Sequence, residues 1–185
     1  ARLPANSPAR QIGEINQGLG EAKPNYNPRL VNSGRRLDAG RLDPDTGKWI
    51  PNPTYEKGIA AWTKDPKLLT PQAQVAADAV RFDLRDRAIE DALKTTYTNH
   101  PELKGKITGI KYTGSAAGTG SNYKIMKSDI DFTPQHDGTM RGRYAANQFK
   151  ENFNASVRKL TGDKLGAADL KMNCYPNNTG PGAFQ

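Results

Sequence analysis

The 185-residue chain contains one cysteine, Cys174, and two histidines, His100 and His136. A lone thiol forms no intrachain disulfide and does not supply the several thiolates of a zinc site. Two histidines are too few for a His-based metal centre, and neither stands beside a Ser or Cys in a triad-like pattern. No apolar run approaches the ~18 consecutive residues of a membrane span, which excludes a transmembrane helix. No basic-then-apolar leader opens the chain and its first residue is Ala1, so it reads as a piece of a longer protein. The scarcity of cysteine fits the cytosol, and equally a domain that is unfolded for delivery without first breaking a crosslink.

Also missing is any block of Lys or Arg of the kind found in nucleic-acid-binding tails. Basic residues number 27 against 19 acidic ones, a formal charge of +8. The excess is divided between residues 1–66 (+3) and residues 102–185 (+5), with residues 67–101 neutral. A polyanionic partner such as RNA or a nucleotide is compatible with this balance, and so is a basic domain without one. Hydrophobic residues make up 35% of the chain and the mean hydropathy is -0.79, so part of the length wraps a core without building it.

Residues 1–66 read as an irregular, Pro-rich arm or leader, since seven of the 13 prolines fall in the first 53 residues and apolar residues occur singly. Asp43-Pro44-Asp45-Thr46-Gly47-Lys48-Trp49-Ile50 has the composition of a tight turn, with Trp49 and Ile50 available to anchor a loop. A helical island is expected over 54–62. Residues 67–185 are expected to form the domain proper. Thr70-Pro71 places an N-cap before Pro at the first helical position, and Val75, Ala79, Phe82, Ile89 and Leu93 recur at helical spacing. Asp83 and Arg87 fall on another face, and His100-Pro101 stops the helix. Residues 106–113 alternate like a half-buried strand, and a second strand, 128–132, follows a Gly/Ser loop. Ala145, Phe149, Phe153, Val157 and Leu160 mark a second amphipathic helix, which Gly162 terminates. Leu170, Met172 and Cys174 alternate with Lys171, Asn173 and Tyr175 in a third strand, and the tail from Pro176 is loop. The expected class is α+β, a small mixed sheet flanked by helices.

One constellation carries chemistry: Thr113-Gly114-Ser115, thirteen further residues, then Asp129-Ile130-Asp131-Phe132. On a strand, residues two apart share a face, so both carboxylates leave one side while Ile130 and Phe132 enter the core. Carboxylates this close repel unless a cation lies between them. Hard oxygen donors of this kind suit Mg²⁺, completed by waters and substrate phosphates. Gly114 permits close approach of a phosphate to the backbone, and Ser115 adds a donor. Buried unpaired carboxylates are costly, which argues against a purely structural Asp-Ile-Asp-Phe strand. Gly118-Thr119-Gly120-Ser121 is a second glycine-rich candidate for the cradle, but it stands too close to Asp129.

This pattern resembles the nucleotidyltransferase superfamily of DNA polymerase β-like enzymes, whose signature is a hydrophobic-Gly-Gly/Ser turn followed at a distance by D-h-[D/E]-h. Gly114, Ser115, Asp129 and Asp131 match it, and Ser128 precedes the first aspartate as is common in the family. The spacer lies at the long end of the family range. The resemblance covers about residues 72–176, and leaves the first third of the chain unexplained. It implies the minimal nucleotidyltransferase fold and an NTP substrate. It further implies Mg²⁺ on Asp129 and Asp131 and transfer of a nucleoside monophosphate to a hydroxyl of RNA, tRNA, protein or a small molecule.

The family places a third carboxylate on the strand after the helix. Here Asp169 and Asn173 compete for that position, and residues 169, 171 and 173 share one strand face. Asp169 is the preferred acid, expected to help deprotonate the acceptor. Asn173 in its place would leave the general base missing. Lys124, Lys127, Arg141 and Arg143 flank the metal strand and are candidates to neutralise a triphosphate, while Tyr123 and Tyr144 are candidates to stack on a base. A Cys-poor domain behind a Pro-rich leader is similar to the C-terminal toxin modules of bacterial polymorphic or contact-dependent systems. That resemblance implies delivery by secretion, a cytoplasmic site of action and a cognate immunity protein. Two other classes remain open: a degenerate nucleotide- or RNA-binding module, and a structural or secretion-associated interaction protein.

Overall fold

The computed structural model describes residues 3–20, 37–117 and 122–176. Gly118-Thr119-Gly120-Ser121 and the tail beyond Pro176 lie outside the described residues, as do residues 21–36 of the expected arm. The chain forms two compact units, Ala1–Asp83 with Lys124–Lys127, and Leu84–Tyr123 with Ser128–Gln185. The division falls within a helix and not at residue 66, where composition changes. Among the described residues no helix is long and apolar enough to cross a membrane.

The first unit opens with α1 (Pro8–Gly20). Ser7 caps it, its hydroxyl accepting from Arg10 N at 3.2 Å, and Pro8 stands at the first helical position. Next comes a hairpin of β1 (Gly40–Leu42) and β2 (Trp49–Pro51), paired antiparallel. Its turn is the expected one. The Asp43 carboxylate accepts from Asp45 N and the Thr46 hydroxyl, and Gly47 takes a positive φ of 69° that non-glycine residues resist. Ile50, expected to anchor the loop, is instead exposed, as is Leu42 on the same hairpin. The expected helical island is α2 (Pro53–Ala61), with Trp62 at its C-cap.

The longest helix is α3 (Pro71–Asn99). Thr70 caps it as the sequence indicates, its hydroxyl accepting from Ala73 N at 3.1 Å. In the first unit, Ile15 and Leu19 of α1 pack with Ala61, Leu69, Ala73, Ala76, Ala77 and Met126. Residues 76–85 are all buried, so α3 is not the one-sided amphipathic helix that periodicity suggests. Several of its buried charges have partners. Arg81 pairs with Asp78 at 2.8 Å and lies 4.6 Å over the Trp62 ring, while Tyr55 donates to Asp83 at 3.0 Å.

The second unit contains the rest of α3 and a three-stranded mixed sheet of β3 (Ile107–Thr113), β4 (Ile130–His136) and β5 (Met172–Cys174). β4 is central, antiparallel to β3 and parallel to β5. Between β4 and β5 runs α4 (Met140–Leu160), which places Phe149 and Phe153 around Phe132 with ring centroids 6.4 and 4.8 Å away. Thr139 caps its start by accepting from Gly142 N at 3.0 Å. Gly162 ends it, with φ of 63°: Asp163 N reaches Arg158 O at 2.7 Å and Gly162 N reaches Lys159 O at 3.2 Å, the paired bonds of a Schellman motif. Helix α4 is tied to α3 by Ser156 and Lys159, which both donate to Asp91. The α+β class, with a small mixed sheet and flanking helices, is as expected.

Candidate carboxylate site on the central strand

At the start of β4, Ile130 and Phe132 are fully buried and Asp131 between them is half-buried, while Asp129, expected on the same strand face as Asp131, falls outside the strand. Asp129 is exposed just before the strand, whose first amide, Ile130 N, donates to Lys171 O at 2.8 Å. Opposite Asp131 on β3 is Thr113, and Gly114 follows with φ of 70°. A Cβ at position 114 would lie 2.7 Å from Asp131 Oδ2. Glycine is therefore required twice there, by the left-handed backbone and by the close approach of the carboxylate. Oδ2 is a hard oxygen donor, of the kind a divalent cation such as Mg²⁺ takes.

The other oxygen of Asp131 is occupied. Asn173 Nδ2 donates to Oδ1 at 2.9 Å and the Tyr175 hydroxyl reaches the same atom at 3.4 Å. Asp131 and Asn173 are register partners on the parallel strands β4 and β5, so this bond follows from the sheet itself. Burial pushes the Tyr175 hydroxyl above its ordinary pKa, and the charge and hydrogen bond of Asp131 and the charge of Asp129 push it the same way. Both carboxylates thus act on one phenol.

Asp169, the preferred third acid, is not on the strand. It sits in a 3₁₀ turn, Ala168–Leu170, and its carboxylate turns back to accept from Gly166 N at 2.8 Å. Lys171 then adopts a left-handed φ of 54°, which breaks the two-residue alternation that would have put 169 and 173 on one face. The position beside Asp131 belongs to Asn173. Among the described residues no three His, Cys, Asp or Glu side chains come together as a metal cluster.

The remaining candidates divide. Ser115 is half-buried at the start of a 3₁₀ turn, Ser115–Ala117, which opens the expected Gly/Ser loop. Three residues set up no appreciable helix dipole, so the turn offers local N–H donors only. Ser128 is half-buried, directly before Asp129. Lys124 and Lys127 are exposed and belong to the first unit, not to the one that carries the carboxylates. Arg141 and Arg143 are exposed in the first turn of α4. Tyr123 is buried, which removes it as a stacking platform, and Tyr144 stands edge-on to His100 with ring centroids 5.4 Å apart. Tyr175 was not singled out from the sequence as a site residue. The signal was present, because 173 and 175 alternate with the buried Met172 and Cys174 along β5 and just past its end.

No protein-family model, curated protein or solved structure matches this chain.

Proposed function

We propose that the second unit binds a Mg²⁺–nucleoside triphosphate and transfers the nucleoside monophosphate to a hydroxyl acceptor. The observation that carries this reading is the juxtaposition of Gly114 with Asp131 Oδ2, since it joins the two halves of the glycine-turn and Asp-x-Asp pattern in space. Asp129 and Asp131 would hold the cation, and the backbone at Gly114 with the Ser115 hydroxyl would receive phosphate oxygens. When bound, Mg²⁺ supplies charge neutralisation on the phosphates and polarises the phosphoryl group. The acceptor hydroxyl attacks the α-phosphorus and gives up its proton to solvent water, the bond to the β-phosphate oxygen breaks, and pyrophosphate leaves. The basic balance of the chain, +8, favours RNA as acceptor over a neutral small molecule.

A second reading is favoured by Asn173: a module that binds Mg²⁺–nucleotide without transferring it. An amide takes up no proton at neutral pH, so the acceptor hydroxyl has no third carboxylate to receive its proton. Incubating the protein with each α-labelled NTP, Mg²⁺ and a cell extract separates the two. Label moving into RNA or protein with release of pyrophosphate supports transfer. Saturable Mg²⁺–NTP binding without release supports the binding module, and absence of binding by the folded protein defeats both.

A further inference from the structure

Strand β5 and the residue after it give Asp131 two neutral donors where a third acid was expected, and both converge on one oxygen. The Asn173 amide approaches Oδ1 at 2.9 Å and the Tyr175 hydroxyl at 3.4 Å, while Oδ2 lies against Gly114. A carboxylate on a strand ordinarily turns about its last side-chain bond with little hindrance, because that torsion is broad and nearly two-fold. Two donors on one oxygen remove that freedom. They also draw charge to the oxygen already engaged and define which one remains for a ligand.

We propose that Asn173 and Tyr175 are positioning residues that fix Asp131 with Oδ1 engaged and Oδ2 presented beside Gly114 to a single divalent cation. This rests on the Mg²⁺–nucleotide reading of the same site and assigns it residues outside the family signature. Two aspartates carry a charge of −2, which one divalent ion balances, and Asn173 contributes no charge toward a second. The amide has a further consequence. In the parallel register, an acid at 173 would face Asp131 directly, and like charges directly opposite on a sheet repel. Asparagine at 173 therefore replaces a repulsion by a hydrogen bond in the metal-free protein, at the expense of affinity for the cation. Tyr175, 41% exposed, contributes little to the core, so its hydroxyl can be removed without disturbing the fold.

The test is calorimetric titration of the full chain with Mn²⁺ as the probe, with thermal unfolding measured in parallel. The unmodified protein should bind one Mn²⁺. Tyr175→Phe should weaken binding about three- to tenfold with an unchanged melting temperature, and Asn173→Ala should weaken it at least as much. Asn173→Asp should tighten binding and lower the melting temperature only in the absence of metal. A purely structural role for the pair predicts another pattern: lowered melting temperatures and no change in Mn²⁺ affinity among the folded variants. That pattern overturns the positioning role while leaving the nucleotide-binding reading standing. A folded, unmodified protein that binds no Mn²⁺ overturns both. Because Tyr175→Phe keeps the ring, the outcome does not depend on whether Asn173→Ala folds.

Discussion

Asn173 and Asp131 face each other across the parallel β4–β5 register, and the amide of one donates to Oδ1 of the other at 2.9 Å. This pair makes Asp129 and Asp131 unequal. Asp131 is half-buried and accepts from two side chains, whereas Asp129 is exposed before the strand. Asp129→Asn should leave stability unchanged or slightly raised, since it relieves repulsion with Asp131 in the metal-free protein. Asp131→Asn should cost about 1–2 kcal/mol, because a charged acceptor is exchanged for an amide that must still satisfy Asn173 and Tyr175. Both should weaken Mg²⁺–NTP binding and reduce any transfer activity by orders of magnitude. Denaturant unfolding with nucleotide titration checks the pair, and intact nucleotide binding in both variants would remove the aspartates from the site.

Gly114 permits a cleaner separation of strain from function. Its φ of 70° and the approach of Asp131 Oδ2 act together, whereas Gly105, at φ of 79°, has open space where a Cβ would go. Gly105→Ala should therefore cost only the left-handed backbone term, roughly 1–2 kcal/mol. Gly114→Ala should cost more and displace the Asp131 carboxylate, so that Mg²⁺–NTP affinity falls as well. Equal destabilisation of the two variants with unaltered nucleotide affinity would show that the carboxylate moves aside freely and that the contact has no role.

Where elements are set by local chemistry, the sequence reveals them. Thr70-Pro71 and Gly162 bound α3 and α4 as their cap chemistry demands, and the Asp43–Gly47 turn forms as composed. Helix α1 was missed inside the expected irregular arm, although Ser7-Pro8 repeats the Thr70-Pro71 signal and Ile12, Ile15 and Leu19 follow at helical spacing. The density of proline and glycine around it masks that period. The interior of α3 was not legible at all. Asp78, Arg81, Asp83 and Arg85 look like a solvated face, and only tertiary partners such as Tyr55 and Trp62 make their burial tolerable.

At the site, the alternation of β4 and the need for glycine at 114 were both readable from residue type. The choice between Asp169 and Asn173 was not. It turns on the backbone of one residue, Lys171, whose left-handed φ no local signal announces in a non-glycine. That backbone keeps Asp169 in the turn before β5 and leaves Asn173 beside Asp131.

Cys174 should be chemically silent in the folded protein. It is buried on β5, and burial pushes its thiol up to about 12 despite the opposing charge of Lys150. The thiolate needed for alkylation is then scarce at pH 8 and is shielded from reagent. Iodoacetamide at pH 8 should label the native chain negligibly and the urea-unfolded chain fully, as mass spectrometry can measure. Rapid labelling under native conditions would place the β5 edge in exchange with an open state.

Asp91 offers a pH-dependent test of the packing behind the sheet. Burial alone would raise its pKa, but the hydrogen bonds from Lys159 and Ser156 and the charges of Lys159 and Lys94 outweigh that and hold the carboxyl below its ordinary value. A depressed folded pKa means that the stabilisation is fully present above the unfolded carboxyl pKa, about pH 4, and is lost as pH falls through the lower folded value. Asp91→Asn should therefore cost about 1 kcal/mol at pH 7, the scale of a hydrogen bond to a charged group reduced by solvent screening on the Lys159 side. The difference from the unmodified protein should shrink as the pH is lowered below about 4. Urea unfolding of both proteins at neutral and acid pH measures it. A gap that persists undiminished in acid would mean that Ser156 and Lys159 hold α3 to α4 without using the charge of Asp91, and that shape alone ties the two helices together.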